Sequence, residues 1–195
     1  MDIYQLIEYT SVFFNLTYLI LLIRENIWCW PCGIIASILS IFLFVETKLY
    51  SEAILYSYYI LIGMYGWYVW KNKGNPTDLN IKKWKLKPHL IAIVLGVLLA
   101  VLLGLGFSKY TEASKPYVDA QTTIFSFIAS YMEAHKVLSG WIFWMVINAV
   151  SVWLYASKGL HIYSGLMLVY LVLSFVGYWQ WRRKYRLVLG ERSFG

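Results

Sequence analysis

Apolar residues in this chain gather into long runs separated by short polar breaks. The runs have the length of membrane spans, which need about 20 predominantly apolar residues. Seven runs qualify: Tyr4–Ile23, Ile27–Val45, Glu52–Trp70, His89–Phe107, Asp119–Ala134, Trp141–Ser157 and His161–Trp181. The breaks are Arg24-Glu25-Asn26, Glu46-Thr47-Lys48, Ser108 to Tyr117, His135 to Gly140 and Lys158-Gly159. One longer connection, Lys71 to Pro88, is too short and too polar to be a domain. The pattern predicts an all-α integral membrane protein of seven transmembrane helices. Asp2 rather than a basic region precedes the first run, and no small-residue cleavage site follows it, so it reads as a retained span.

A displacement of 111 residues lays the first three spans on the last three without a gap. Trp30 falls on Trp141, Ser40 on Ser151, Leu43 on Leu154, Leu49 on Leu160 and Leu55 on Leu166. Tyr59 likewise falls on Tyr170, Gly66 on Gly177 and Trp70 on Trp181. Leucine matches arise readily between apolar sequences, but two Trp, a Tyr and a Gly in register do not. A single helix separates the triplets, so both cross in the same sense, a parallel 3+1+3 repeat. The chain then divides into a first three-helix repeat (1–70), a basic loop with a linker helix (71–118), a second repeat (119–181) and a basic tail (182–195). Two like bundles can rock about a site held between them, which is a geometry for transport.

Composition supports the spans and excludes other classes. The chain is 60% hydrophobic and 14% charged, whereas soluble domains run at roughly 45–50% and 25%. That excludes a soluble enzyme, a disordered segment and a fibre, and leaves no loop large enough to house a soluble catalytic domain. Cys29 and Cys32 form a C-x-x-C, but they stand in an apolar run with no second ligand pair, so they read as packing residues. The net charge of +7 is directional. With alternating spans, Lys48, Lys109, Lys115 and Lys158 fall on one side and every other Lys and Arg on the opposite side. The richer side is cytoplasmic by the positive-inside rule, which puts the N-terminus outside and the C-terminus inside. The Lys82–Lys87 cluster can be read as a nucleic-acid or calmodulin-type patch. Contact with anionic membrane lipid accounts for it without a nucleic acid partner.

Polar groups inside spans are costly unless they face one another or water, so their spacing marks a cavity. Thr122, Ser126, Ser130 and Glu133 form one stripe on the fifth span. The second span carries Ser37 and Ser40, and the sixth Trp144, Asn148 and Ser151. Aromatic faces lie on the third span (Tyr56, Tyr59, Gly63, Trp67) and the seventh (Tyr170, Ser174, Tyr178, Trp181). The expected substrate-binding residues are Tyr56, Tyr59, Trp67, Thr122, Ser126, Trp144, Asn148 and Tyr170. Such a wall suits a flat, hydroxylated heteroaromatic ligand. Each feature has a plainer reading as well. Ser and Thr bond back to the i−4 carbonyl or pack helices, and Trp28, Trp30, Trp70, Trp84 and Trp153 read as interfacial belt residues. Asn148, near the middle of a short span, reads as a ligand contact in preference to interhelical glue. His89, His135 and His161 fall at span ends without metal spacing, so no metal, cofactor or catalytic residue is expected. Glu133 reads as snorkelling and paired near the cytoplasmic end of its span. With no buried acid to couple protons, facilitated diffusion is expected.

These features together resemble the PnuC family of bacterial vitamin transporters. The residues that carry the resemblance are Leu49-Tyr50, Met64 to Trp70, Trp141-Ile142-Phe143-Trp144-Met145-Val146-Ile147-Asn148, and Val150-Ser151 to Leu154-Tyr155 leading to Lys158-Gly159. The resemblance implies a fold like that of full-length SWEET transporters, a homotrimer in the inner membrane, and facilitated uptake of a vitamin trapped by a cytoplasmic kinase. Nicotinamide riboside leads as the substrate, and thiamine stands beside it; a SWEET-like sugar pathway is more remote. Where some members that carry nicotinamide riboside have Gln and Asn on the third span, this chain has Tyr56 and Gly63. Both vitamins bear a cationic ring that tyrosine and tryptophan hold through cation–π contact.

Overall fold

Each apolar run folds as a helix. A computed structural model describes residues 3–46, 50–72, 81–111, 115–157, 159 and 161–192. Lys48, Leu49, Lys73, Lys158 and Leu160, which enter the charge and repeat readings, lie outside the described residues. Among the described residues there are seven helices: α1 (Ile3–Ile23), α2 (Cys29–Glu46), α3 (Tyr50–Asn72), α4 (Leu86–Tyr110), α5 (Pro116–Ala134), α6 (Gly140–Ser157) and α7 (His161–Arg192). Of these, α1, α4, α6 and α7 are long and apolar enough to cross a membrane, and α2 carries a shorter apolar run, Cys29–Leu43. The more polar α5 is the helix that bears the Thr122, Ser126, Ser130 and Glu133 stripe. Helix α7 has 32 residues, about 48 Å at 1.5 Å per residue. It therefore outruns a hydrocarbon core of about 30 Å, and the basic stretch from Arg182 to Arg192 is its continuation.

Two compact units make up the chain, Met1–Asn80 and Ile81–Gly195. In the first, α2 packs on both α1 and α3. In the second, α5 lies between α4 and α6, and α6 also packs on α7. The linker helix α4 joins the second unit through small residues: Gly96, Ala100 and Gly104, one turn apart, are buried. A Cβ on Gly96 would stand 2.9 Å from Ile128, and one on Gly104 2.5 Å from the Tyr117 ring. Glycine here lets two helices approach without a clash. Leu90, Leu98 and Leu102 on α4 are exposed.

Local geometry recurs at the spacing read from the sequence. α1 ends where Glu25 adopts a left-handed φ of 55°, and α5 ends where Lys136, 111 positions on, adopts 52°. In the first turn the Glu25 amide donates to the Leu22 carbonyl and the Asn26 amide to Leu21, both at 2.9 Å. In the second, the Lys136 amide donates to Glu133 at 2.9 Å and the Val137 amide to Met132 at 2.8 Å. Both are Schellman closures, which satisfy the orphan carbonyls of a helix end. The chain then re-enters a helix the same way: Cys29 donates to Asn26 and Gly140 to Val137, each at 3.0 Å.

Tryptophan packing recurs as well. Trp30 meets Trp70 edge to face, with centroids 5.4 Å apart at 89°. Trp141 meets Trp181 at 5.4 Å and 87°. Each inner ring lies against the glycine one turn before its partner: a Cβ on Gly66 would come within 2.4 Å of Trp30, and one on Gly177 within 2.6 Å of Trp141. This corrects the belt reading of Trp30 and Trp70, which are 2% and 8% exposed. The rings are buried because glycine opens a slot for them between helices. Trp28 and Trp153 are exposed, as belt residues are, while Trp84 is half-buried with its ring 5.6 Å from that of His89. Cys29 and Cys32 are free thiols, the first buried and the second half-buried.

The turn from α5 to α6 is pinned from outside the helices. Lys82 pairs with Val137 as an isolated parallel bridge, with Lys82 donating to the Lys136 carbonyl at 2.9 Å and Leu138 donating to Lys82 at 2.8 Å. His89 lies 2.8 Å from the Lys85 carbonyl through Nδ1 and 2.7 Å from Ser139 Oγ through Nε2. The α5–α6 turn is also tight, since a Cβ on Gly140 would stand 3.2 Å from that of Met132. Against the snorkelling expectation, Glu133 beneath this turn is buried, 2% exposed, so the second unit does hold a buried acid, contrary to the expectation on which facilitated diffusion rests.

Candidate functional site

Polar side chains are buried within both units, and among the described residues only the second holds a fully buried amide. In the first unit they are Ser11, Ser37 and Ser40. Ser37 donates back to the Gly33 carbonyl at 2.8 Å. The Ser11 and Ser40 hydroxyls lie 2.8 Å apart and tie α1 to α2. In the second unit Ser126, Ser130, Asn148, Ser151 and Ser174 are buried across α5, α6 and α7. Ser130 donates to the Ser126 carbonyl at 2.9 Å, the plain back-bond of a helical serine.

Asn148 is placed by α6 where that helix meets α7. Its Nδ2 donates to Ser174 Oγ at 3.1 Å, and Ser174 Oγ donates to the Tyr170 carbonyl at 2.8 Å. The amide therefore links the two helices, the interhelical role that the sequence reading placed second to a ligand contact. A carboxamide offers two N–H donors and an oxygen with two lone pairs, and this is the one hydrogen bond Asn148 makes among the described residues. One turn earlier on α6, the Trp144 indole N–H is buried with no partner. Such orphaned donors are rare in folded proteins and call for an explanation. Trp30 and Trp141 also carry one, but these two are repeat mates with their rings held in the glycine slots. Trp144 has no such mate, since Gly33 stands at its equivalent position. Ser37 likewise stands opposite Asn148, and Gly63 opposite Ser174.

The other expected residues fall in three places. Thr122 lines a cavity of about 290 Å³ between α4, α5 and α6, walled by Ile93, Phe125, Phe143 and Val146. Its hydroxyl already donates to the carbonyls of Val118 and Asp119, at 3.1 and 2.9 Å. Asn148 is turned to α7 instead, so the structure separates the two. Tyr170 is half-buried on α7 one turn from Ser174, and Ser126 is buried on α5. In the first unit Tyr56 and Tyr59 touch edge to face, with centroids at 5.4 Å. Trp67 meets Trp28 at 5.6 Å. Sequence reasoning placed Ser174 on the seventh-span face without assigning it a role. The available signal was its spacing, one turn from Tyr170 and opposite a glycine in the first repeat. Among the described residues no three His, Cys, Asp or Glu side chains gather to hold a metal ion.

Several helices long and apolar enough to cross a membrane define a multi-pass helical membrane protein. Comparison with known proteins makes the assignment specific. The chain belongs to the nicotinamide mononucleotide transporter family, whose profile matches residues 5–183. It is 22% identical over 178 residues to the nicotinamide riboside transporter PnuC of Escherichia coli (strain K12), an alignment covering 78% of this chain and 73% of that protein. It is 25% identical over 167 residues to the riboflavin/roseoflavin transporter RibM of Streptomyces davaonensis, covering 82% and 75% respectively. The crystal structure of the vitamin B3 transporter PnuC shares its fold, with a TM-score of 0.72 at 18% identity over 91% of this chain and 80% of that one.

Proposed function

We propose that the protein takes up nicotinamide riboside by facilitated diffusion across a bacterial inner membrane. The observation that carries this reading is the pair on α6: an indole N–H without a partner at Trp144 and, one turn on, the Asn148 amide with unused valences. A ligand carboxamide has the matching donor and acceptor, and Tyr170, one turn from Ser174 on the same unit's α7, offers an aromatic face for a cationic ring. Charge argues for a nucleoside over a nucleotide. Helices α1, α2, α5 and α6 contain no Lys or Arg, and in α7 the first is Arg182. A phosphate within these spans would lack a cationic partner, and an unpaired buried charge is strongly disfavoured.

The local geometry that recurs at 111 residues favours a 3+1+3 repeat resembling SWEET transporters. The Lys and Arg bias orients the N-terminus outside and the C-terminus in the cytoplasm, with the basic stretches against anionic lipid. Cytoplasmic phosphorylation of the riboside would keep it inside, making a vitamin kinase the functional partner. A homotrimer is the assembly that the family resemblance suggests. Riboflavin is the second reading, because RibM is as similar to this chain as PnuC is.

Uptake of labelled substrate into proteoliposomes decides among these. Nicotinamide riboside is expected to enter, unaffected by an imposed pH gradient, and to be displaced poorly by riboflavin, thiamine or glucose. Acceleration by the gradient would overturn facilitated diffusion, and selective entry of another solute would overturn the substrate.

A further inference from the structure

We propose that Ser174 fixes the orientation of the Asn148 carboxamide and thereby makes the site select a ligand that presents a hydrogen-bond donor, a carboxamide over a carboxylate. The inference rests on the reading of Asn148 as a substrate contact, and Ser174 acts through it as a positioning residue.

One proton sets the orientation of the amide. A serine hydroxyl has a single hydrogen. Ser174 Oγ lies 2.8 Å from the Tyr170 carbonyl, which can only accept, so its hydrogen is committed there. Toward Asn148 the hydroxyl therefore presents a lone pair, and the amide atom 3.1 Å away must be the donor Nδ2. Reversing the amide would set its oxygen against that lone pair and leave the buried hydroxyl oxygen without a donor. Both residues are buried, Ser174 at 2% and Asn148 at 5% exposure, so water does not readily supply a substitute. The amide oxygen is thus aimed away from α7, as an acceptor. A carboxamide NH₂ meets it favourably. A carboxylate, with acceptors only, is repelled. The first unit cannot do this, because Ser37 and Gly63 stand at the equivalent positions and Ser37 bonds back to its own helix.

The test compares binding of nicotinamide riboside and its carboxylate analogue, nicotinic acid riboside, to purified full-length protein by calorimetry. The wild type is expected to prefer the carboxamide. Ser174→Ala should reduce that preference about tenfold, the net worth of one hydrogen bond, by weakening carboxamide binding while the carboxylate analogue holds or gains. Ser174→Thr, which keeps the hydroxyl, should restore the preference. Ser174→Gly, the residue of the equivalent position in the first unit, serves where the alanine variant does not fold. In an Asn148→Ala background, Ser174→Ala should change the ratio no further. An unaltered ratio in Ser174→Ala or Ser174→Gly, failure of threonine to restore it, or a further change in the Asn148→Ala background would each overturn the inference alone. Absence of riboside binding to the wild type would remove the functional reading, and the inference with it.

Discussion

The glycine slots under Trp30 and Trp141 give the sharpest test of the fold. An alanine at position 66 would put its Cβ 2.4–2.5 Å from three ring carbons of Trp30. Ordinary carbon contacts are about 3.5–4.0 Å, so ring or helix must move by about 1 Å. Trp30 has little room to retreat: its centroid is 5.4 Å from that of Trp70 and 6.2 Å from that of Tyr18. Overpacking of this kind costs about 1–3 kcal/mol, while replacing a helical glycine returns about 0.5–1 kcal/mol. At the middle of these ranges the clash wins, leaving a net loss of about 1 kcal/mol. Gly177→Ala meets Trp141 at 2.6–2.7 Å, and Trp141 has Trp181 as its ring neighbour, so the loss should be smaller.

Gly165 is the control on the same helix as Gly177. A Cβ there would find nothing within 4 Å, so Gly165→Ala should stabilise by about 0.5–1 kcal/mol. At about 2–4 °C per kcal/mol for a chain of this size, Gly66→Ala should melt about 2–4 °C lower and Gly165→Ala about 1–4 °C higher than wild type. Thermal unfolding in detergent, read by tryptophan fluorescence, measures both. Equal melting shifts for Gly66→Ala and Gly165→Ala would refute the slot argument, because helix propensity alone would then account for each.

Two further predictions concern the polar faces. Ser40→Ala removes the hydroxyl that lies 2.8 Å from Ser11 Oγ between α1 and α2. It should cost about 0.6–1 kcal/mol, in keeping with interhelical hydrogen bonds in membranes. An unchanged melting temperature would show the pair to be energetically idle. Trp144→Phe keeps an aromatic ring but deletes the orphaned indole N–H, so the ligand-free protein should lose less than about 1 kcal/mol, since a buried unpaired donor is itself a penalty. Riboside affinity should still fall several-fold, and parallel losses of stability and affinity would assign Trp144 to packing alone.

The helical architecture was legible because the bilayer writes it directly as apolar runs, and the start of α6 and the close of α5 fall within a residue of the polarity breaks. The end of α7 was not: the helix continues past Trp181 because Arg182 to Arg192 are compatible with helix even though they end the apolar run. Trp30 and Trp70 were misread for a related reason. Their position near span ends matches a belt, and only the slot that Gly66 of α3 opens for Trp30 of α2, with Trp70 packed edge to face on that ring, shows that they turn inward. Glu133 was misread in the same way, because its burial depends on the close turn into α6. Asn148 was identified as the costly polar group of its span. Its partner could not be, since the Asn148–Ser174 bond depends on how α6 and α7 rotate against each other.

What the two units share and what they do not separates scaffold from recognition. The recurring features are those that backbone sterics impose on any such bundle: a left-handed residue at Glu25 and Lys136, an indole over a glycine, and an edge-to-face tryptophan pair. These demands are the same in both bundles, so the same residue types or conformations answer them. At Gly33 and Trp144, Ser37 and Asn148, and Gly63 and Ser174 the units differ in hydrogen-bonding capacity. In the second unit these positions lie together, within a turn on α6 and across one hydrogen bond to α7. A riboside has no two-fold symmetry. On the proposal that a riboside binds through Asn148, such a ligand needs its polar contacts on one side only, and among the described residues these three differences leave the fully buried carboxamide in the second unit.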